Sequence, residues 1–245
     1  MKAYVLPVEN ACNGSCNFCI TRFRKFTQKK MLQPAKLEKI IRDIKIDKIE
    51  ITGGGEPTLN PNIGDIIKIC SKKAPTQMYS NGSFGYFPEI DYLSCLCISR
   101  HHYDAGENKR IMGLDYDLSK LEFKVPLKLS LLLLRSGIES LDELENYLKW
   151  ASRIKSKKVV VRQMFHYENE GYKNILDQEY ISAEVINKEI RKNPNFILKE
   201  DNLNNCLYYF NNLEVEIELR SCACESNNPV IHSNGLISKG WDDIK

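Results

Sequence analysis

The sequence is poor in the features that mark membrane-spanning and exported chains. The longest apolar run, Leu127–Leu134, is interrupted by Lys128 and Ser130, and no run reaches the length of about eighteen residues that a membrane helix needs. The first residues, MKAYVLPVENACNGSC, contain no basic segment followed by an apolar core and a small-residue cleavage site. We therefore expect a cytoplasmic protein with no membrane partner.

The chain also lacks a strong excess of charge of either sign. Its 35 basic and 32 acidic residues give a formal net charge of +3. This near balance neither requires nor excludes a nucleic acid or another anionic partner. At 245 residues one domain can bury a substantial core, so we expect a single catalytic domain with a short appendage.

Short apolar segments rich in β-forming residues alternate with amphipathic segments over most of the chain. Such alternation is typical of βαβ units in a parallel sheet. Six right-handed units in succession predict an α/β fold, a partial (β/α)6 TIM-like barrel within residues 1–180 that carries its active residues at the carboxyl ends of the strands. The predicted strands are Tyr4–Val8, Ile49–Thr52, Gln77–Ser80, Cys95–Ser99, Leu127–Leu134 and Val159–Gln163.

The last quarter of the chain has a different pattern. A helix is predicted at Ala183–Lys192, and Leu213–Leu219 alternates acidic with apolar residues as a strand does. Asn234–Gly235 separates two short apolar runs, which predicts a hairpin turn, and the Asn-rich residues 202–212 are expected to form loops and turns. We therefore expect residues 181–245 to form a small C-terminal α/β extension that caps the barrel.

Cysteine is plentiful, with nine residues. The odd number and the lack of an export signal disfavour a disulfide scaffold, since thiols in a reducing cytosol more often bind metal or stay free. Cys12, Cys16 and Cys19 lie together just after the first predicted strand. Their thiolates can reach three irons of one cubane and leave the fourth iron open for chemistry. A zinc site or a closed electron-transfer cluster needs a fourth ligand from elsewhere, and these readings stay open at this point.

A glycine-rich segment, Gly53-Gly54-Gly55-Glu56-Pro57, follows the second predicted strand. It lacks the Lys-Ser/Thr pair of a phosphate-binding loop. Consecutive glycines let the backbone approach a ligand closely and offer free N–H and C=O groups, while the acid can orient an ammonium. A simple turn would also account for one or two of the glycines.

Both motifs resemble those of one family. The Cys-x3-Cys-x-aromatic-Cys pattern is similar to the signature of the radical S-adenosylmethionine (radical SAM) superfamily, and the glycine-rich segment is similar to the family's Gly-Gly-Glu-Pro motif. The resemblance implies a [4Fe–4S] cluster on Cys12, Cys16 and Cys19 that binds S-adenosylmethionine and cleaves it reductively to a 5′-deoxyadenosyl radical. It also implies an electron donor of the flavodoxin or ferredoxin type.

The resemblance further assigns residues to the cofactor. Phe18 is expected near the adenine, and the backbone of Ile20 is expected to bond the base. The methionine amino group is expected at Gly54, Gly55 and Glu56.

Further candidates lie at the ends of later strands. Ser80 and Asn81 are expected to contact the cofactor, with an Asn-Gly turn as the alternative. Ser99 is expected at the ribose hydroxyls. Arg162 suits a clamp on the methionine carboxylate, although a solvated arginine is the ordinary role of such a residue.

Three side chains are candidates for groups that face the substrate. His101 follows the fourth strand, and an imidazole can give or take a proton near neutral pH. His166 and Tyr167 follow the sixth strand and are expected on the substrate side.

The remaining cysteines divide into two groups. Cys70, Cys95 and Cys97 are expected in the core. Cys206, Cys222 and Cys224 are candidates for a second, auxiliary cluster, although their Cys-x-Cys spacing differs from the Cys-x2-Cys spacing usual in the family.

The predicted function is hydrogen abstraction from a small-molecule or nucleotide-like substrate. The chain resembles the small biosynthetic members of the family in length. A peptide- or protein-modifying enzyme is the alternative within the family, and a non-catalytic iron–sulfur electron carrier or sensor is the alternative outside it.

Overall fold

The computed structural model describes residues 1–23, 31–219 and 228–239. Within these ranges the chain forms eleven strands, six α-helices and four 3-10 helices. The strands are β1 (Lys2–Val5), β2 (Lys48–Ile51), β3 (Thr76–Ser80), β4 (Cys95–Ser99), β5 (Leu127–Leu132), β6 (Lys158–Arg162), β7 (Phe196–Asp201), β8 (Asn205–Phe210), β9 (Leu213–Glu218), β10 (Val230–Ile231) and β11 (Ile237–Ser238). The α-helices are α1 (Pro34–Ile41), α2 (Ile63–Lys73), α3 (Ala105–Met112), α4 (Leu141–Arg153), α5 (Glu170–Glu179) and α6 (Ala183–Ile190), and the 3-10 helices are Ile20–Arg22, Pro57–Leu59, Pro88–Tyr92 and Leu118–Lys120.

The strands form one sheet in the order β11-β10-β1-β2-β3-β4-β5-β6-β9-β8-β7. Strands β1 to β6 are neighbours in chain order and all parallel. The predicted α/β partial (β/α)6 TIM-like barrel is therefore confirmed. Parallel strands carry their carboxyl ends to one edge of the sheet, and the loops of that edge hold the candidate site.

The C-terminal residues extend this sheet at both edges. Strand β9 pairs parallel with β6, and β8 and β7 follow antiparallel. At the other edge β10 pairs parallel with β1, and β11 folds back on it through the predicted turn at Asn234–Gly235, where Gly235 has a φ of +78°. Only residues tolerant of a positive φ fit such a turn.

The expectation of loops over residues 202–212 is wrong for Asn205–Phe210, which forms β8. Cys206, Tyr208 and Phe210 alternate on the buried side of this strand. Tyr and Phe favour strands when one face is buried, and this preference outweighs the turn preference of the neighbouring asparagines.

Side chains on the outer face of the sheet make the core with the helices. Alternate residues of each strand point to this face, and they are almost all aliphatic. Ala3, Val5, Ile49, Ile51, Met78, Leu96, Ile98, Leu129, Leu131, Val159, Val161, Val215 and Ile217 are fully buried there.

The helix ends follow from local hydrogen bonding. The Ser140 hydroxyl accepts from the N–H of Glu143 at the start of α4, and the Asp104 carboxylate accepts from that of Glu107 at the start of α3. Helix α3 ends at Gly113, whose φ is +70°. No helix in the described ranges is both long and apolar enough to cross a membrane.

A buried polar cluster fastens the β10–β11 hairpin to the segment after β1. The Glu9 carboxylate accepts from the backbone N–H of Ser233 at 2.8 Å and from its hydroxyl at 2.5 Å. The other carboxylate oxygen lies 3.0 Å from Nδ1 of His232, whose Nε2 lies 2.7 Å from the Ser238 hydroxyl. Burial raises the pKa of Glu9, but the hydrogen bonds from His232 and Ser233 outweigh burial and leave it lowered.

Replacing Glu9 with Gln should lower the free energy of unfolding by about 1–3 kcal/mol at neutral pH, because buried donors lose their charged acceptor. Since the pKa of Glu9 is lowered on folding, its ionised carboxylate stabilises the fold above the ordinary carboxyl pKa, and this contribution is lost as pH falls through the lowered value. Urea unfolding over a pH series should therefore show the difference from wild type shrinking in acid. The exposed Glu122→Gln control should differ little from wild type at any pH, and a pH-independent effect of Glu9→Gln would contradict the assignment.

Candidate functional site

The candidate site lies where β1, β2 and β3 end. Residues 10–19, here the cysteine loop, follow β1, and residues 53–56, here the glycine segment, follow β2. Two backbone hydrogen bonds join these stretches: Asn10 donates to the carbonyl of Gly54 at 2.8 Å, and Glu56 donates to that of Ala11 at 2.9 Å. The two motifs recognised in the sequence are therefore in direct contact.

Close backbone packing explains why glycine stands at position 55. A Cβ atom on Gly55 would overlap the carbonyl oxygen of Ala11, far inside van der Waals contact. A Cβ on Gly53 would overlap the carbonyl oxygen of Gly55 in the same way. Side chains at these positions would push the cysteine loop away from the sheet.

The Glu56 carboxylate, which is only 2% exposed, accepts four hydrogen bonds. Oε1 accepts from the N–H and hydroxyl of Thr58 at 3.1 and 2.7 Å and from the Ser80 hydroxyl at 2.7 Å, and Oε2 accepts from the N–H of Asn81 at 2.8 Å. Glu56 thus joins the glycine segment to the end of β3. A direct contact of this carboxylate with a methionine ammonium remains a prediction.

Asn81 extends this network to the cysteine loop. Its amide Nδ2 donates to Oδ1 of Asn13 at 2.7 Å and lies 3.9 Å from the Cys12 sulfur. Its backbone carbonyl accepts from the Tyr116 hydroxyl. Gly82 has a φ of +80°, which suits the alternative of an Asn-Gly turn. Contact of Ser80 and Asn81 with the cofactor remains a prediction.

The three thiols of the cysteine loop differ in surroundings. Cys12 is exposed, and the N–H of Gly14 donates to its sulfur at 3.3 Å. Cys19 lies 2.9 Å from the Thr21 hydroxyl. Burial, together with the charges of Cys19 and Cys12, raises the pKa of Cys16 to about 12.

This donor set fits an iron–sulfur cluster better than a single metal ion. Among the described residues, no three His, Cys, Asp or Glu side chains converge closely enough to hold one ion. A cubane does not need such convergence, since each thiolate binds a different iron. Bound iron would also favour the deprotonated thiol against the burial that raises the pKa of Cys16.

Phe18 and His101 form one wall beside the cysteine loop. Both are buried, and their rings meet edge to face with centroids 5.1 Å apart. Nδ1 of His101 accepts from the N–H of Leu132 at 3.1 Å, so a neutral ring carries its proton on Nε2. Burial, with smaller contributions from Arg100 and Arg162, lowers the pKa of His101 to about 3. His101 is therefore a neutral hydrogen-bonding group, not a cation, at physiological pH.

Arg162 lies at the end of β6, as predicted, but is already paired. Its guanidinium donates to both carboxylate oxygens of Glu218 at 2.8 and 2.9 Å and to the Ser130 hydroxyl at 2.9 Å. A cofactor carboxylate would have to share or displace Glu218, so the predicted clamp remains a prediction. Ser99 is half-buried at the end of β4, in register with Ser130.

The remaining candidate residues are His166, Tyr167 and Ile20. His166 is exposed, with its ring 5.9 Å from that of Tyr180, and Tyr167 packs edge to face on Tyr172 at 6.1 Å. Ile20 begins a 3-10 helix directly after the cysteine loop, where its carbonyl accepts from the N–H of Phe23.

Of the three tail cysteines, the structure describes Cys206. Cys206 is buried on β8, with Nδ2 of Asn187 at 3.5 Å and a carboxylate oxygen of Asp201 at 3.2 Å. Cys222 and Cys224 lie outside the described residues, so the auxiliary cluster remains a prediction. Cys70 and Cys97 are buried, as expected, whereas Cys95 is only half-buried.

The inner face of the sheet borders a cavity of about 850 Å³. At one end it reaches Ile20, Thr21 and Gly53, next to the cysteine loop and the glycine segment. At the other end it reaches the amino ends of the strands, at Lys2 and Lys48. A volume of this size holds a metabolite or nucleotide.

The family model of the Radical SAM superfamily matches residues 6–102, which include the cysteine loop and the glycine segment. This segment is a radical SAM domain. The family uses a [4Fe–4S] cluster and S-adenosylmethionine, so the cofactor prediction is confirmed at the level of the family.

Curated relatives match part of the chain. A "UPF0026 protein" of Helicobacter pylori is 30% identical over 127 residues, which are 46% of this chain and 41% of that protein. A "Probable GTP 3′,8-cyclase" of Thermococcus kodakarensis is 30% identical over 120 residues, which are 45% of this chain and 38% of that protein. The chain spans about two-fifths of these relatives' length.

A solved structure has the same fold. The structure of the protein anSMEcpe with bound AdoMet matches 100% of this chain and 75% of its own length, with a TM-score of 0.63 and 13% identity. This likeness supports the partial barrel around the radical SAM domain and carries no statement about substrate.

Sequence reasoning missed several residues that organise the site. Tyr116, Glu9 and His232 lie far from the motifs in sequence or contact their partners only in the folded chain. The charged residues on the inner face of the sheet were missed as well. An alternation of charged with aliphatic residues along β2 and β9, such as Lys48-Ile49-Glu50-Ile51, is the signal that identifies a polar inner face.

Replacing Gly55 with Ala should destabilise the fold by about 1–3 kcal/mol, because the new Cβ overlaps the Ala11 carbonyl. Displacement of the cysteine loop should also lower the iron bound per chain after anaerobic reconstitution. Gly106→Ala is the matched control, since Gly106 lies in α3 and its Cβ would come no closer than 3.2 Å to a flexible carboxylate. Wild-type stability and iron content in Gly55→Ala would show that the close approach is not required.

Proposed function

We propose that this protein is a radical SAM enzyme in which Cys12, Cys16 and Cys19 hold the [4Fe–4S] cluster and a small molecule binds in the cavity of the partial barrel. The observation that carries the proposal is that Ile20 and Thr21, directly after the cysteine loop, and Gly53 of the glycine segment line one end of that cavity, where backbone hydrogen bonds hold the two stretches together. When bound, the cluster and S-adenosylmethionine supply a 5′-deoxyadenosyl radical. The protein's part is to bind, orient and exclude water.

The residues of the site suit these tasks. Three thiols offer ligands, and donors from Gly14 and Asn81 point at the Cys12 sulfur, where such hydrogen bonds tune a cluster's potential. The Gly53–Gly55 backbone offers polar groups free of side chains to the methionine amino group. Glu56 supports this role by fixing the glycine segment to β3.

The walls of the site suit an aromatic base. Phe18 and the neutral His101 ring make a buried aromatic surface beside the loop, which supports adenine binding near Phe18. Ile20 packs against the apolar cluster that contains Phe18 and also borders the cavity, which supports the predicted contact of its backbone with the base.

The cavity favours a small substrate. Its volume is in the range of metabolite and nucleotide sites and too small for a folded protein. A small molecule is therefore the first candidate, and a short peptide segment is the alternative. An electron donor of the flavodoxin or ferredoxin type would reduce the cluster from the exposed side of the loop, where Cys12 lies.

Changing Cys12, Cys16 or Cys19 singly to Ala should reduce formation of 5′-deoxyadenosine to background, because each substitution removes one cluster ligand. Bound iron should fall from about four per chain in the wild type. Reduced, reconstituted protein is incubated anaerobically with S-adenosylmethionine, and the product is measured by liquid chromatography. Cys70→Ala is the matched control, since Cys70 is buried in the core and should leave cleavage intact.

Two results would contradict the proposal. Undiminished cleavage by the Cys16→Ala variant would remove the cysteine loop as the cluster site. A wild-type protein that holds about four irons yet makes no 5′-deoxyadenosine, with or without candidate substrates, would favour the non-catalytic electron carrier.

A further inference from the structure

The cavity of the partial barrel is lined with positive charge. Six cationic side chains and three carboxylates border it, although the chain as a whole is nearly neutral. Excess charge of one sign in a cavity attracts ligands of the other sign. The cations are Lys2, Lys48, Lys128, Lys157, Lys158 and Arg162, and the carboxylates are Glu50, Glu216 and Glu218.

Most of these cations already have a partner. Arg162 is paired through two of its nitrogens with Glu218, and Lys158 lies 2.7 Å from Glu216. Near the amino ends of the strands, Lys2 and Lys48 share the single carboxylate of Glu50, at 3.0 and 3.2 Å. These contacts offset part of the positive charge.

Among the described strand residues that line the cavity, Lys128 is the cation without a carboxylate partner. No carboxylate in the described ranges lies within 4.0 Å of its ammonium, and its hydrogen-bond partner is the Tyr79 hydroxyl at 3.4 Å. Burial raises the pKa of Tyr79, so the phenol stays neutral and does not balance the charge. Lys128 also stands in register opposite Lys158 on the neighbouring strand, and like charges in that arrangement destabilise a sheet.

The charges of three lysines help to lower the pKa of a thiol on the cavity wall, that of Cys95. Contact with Cys97 lowers the pKa of Cys95, and the charges of Lys128, Lys48 and Lys158 lower it further. Three lysines therefore act on one point of the cavity wall. An anion bound at this point would experience the same attraction.

The register places Lys128 toward the amino ends of the strands. It is the second residue of β5 and pairs with Lys158, the first residue of β6. From there the cavity continues to Ile20, Thr21 and Gly53, next to the cysteine loop. The rest of a ligand anchored on Lys128 would therefore extend along the cavity toward the cysteine loop.

We propose that Lys128, with Lys158 and Tyr79 beside it, binds the phosphate group of a phosphorylated small-molecule substrate; this inference rests on the proposed function for its use in catalysis. Clustered lysines are point charges that suit phosphate. Arginine reads a carboxylate through two parallel hydrogen bonds, and here Arg162 already uses that geometry on Glu218. The cavity volume leaves room for a nucleoside or sugar attached to the phosphate.

Calorimetric titration of the reconstituted full-length protein with inorganic phosphate tests the site without turnover. Replacing Lys128 with Met should raise the dissociation constant for phosphate about tenfold or more, because a charge-assisted hydrogen bond is lost. Lys128→Arg should retain most of the affinity for phosphate, and this result would show that a substitution at position 128 leaves the site folded. Lys120→Met is the matched control, since Lys120 is 81% exposed outside the cavity and should bind phosphate as the wild type does.

Alkylation of Cys95 by iodoacetamide locates the bound ion. Phosphate should slow the modification of Cys95 in the wild type and in Lys120→Met, as read by peptide mass spectrometry, and should protect it little in Lys128→Met.

Several results would overturn the inference. Failure of the wild type to bind phosphate, or equal binding by Lys128→Met, would remove the site, and binding no tighter than that of acetate would assign a carboxylate ligand instead. Loss of S-adenosylmethionine binding in Lys128→Met would assign the lysine to the cofactor. Phosphate binding without 5′-deoxyadenosine formation would sink the proposed function alone, whereas cleavage without phosphate binding would sink this inference alone.

Discussion

The buried carboxylate of Glu56 determines how the parts of the site are placed relative to one another. The four hydrogen bonds that this carboxylate accepts join the glycine segment to Ser80 and Asn81 at the end of β3. The backbone N–H of Glu56 donates to the carbonyl of Ala11 and so fixes the cysteine loop. A buried charge is tolerated only when it is fully hydrogen-bonded. The stretches after β1, β2 and β3 therefore hold their positions together, and a change in one shifts the others.

A second constraint is the alternation of side chains along each strand. Aliphatic residues on the outer face, such as Ile49 and Val159, pack against the helices, while their neighbours Lys48 and Lys158 face the cavity. A closed (β/α)8 barrel fills its interior with branched apolar side chains. Here the same alternation with charged residues leaves an open, polar interior, so the sequence that builds the core also builds a space for a ligand.

Much of this arrangement could be predicted from local sequence. The cysteine spacing, the glycine run and the strand pattern placed the site at the carboxyl ends of the first strands, and the structure puts the motifs in contact. Local sequence could not reveal that Arg162 is paired with Glu218 or that His232 lies on Glu9, because these pairs are 56 and 223 residues apart along the chain. Strand β8 was missed because its asparagine-rich flanks favour turns, and only burial of alternate residues and pairing with β9 reveal the strand.

The charge pattern of the inner face is the part that depends most on tertiary structure. Lys128 interrupts an apolar run and by itself is an ordinary polar position on a half-buried strand. Only the register of β5 with β6 sets it against Lys158, and only the fold leaves it with no described carboxylate within 4.0 Å of its ammonium. Natural sequences generally avoid such conflicts between local choices and the folded state, and the conflicts that persist concentrate where function requires them. Lys128 opposite Lys158, with no described carboxylate within 4.0 Å of its own ammonium, is a conflict of this kind, since a bound anion would relieve it.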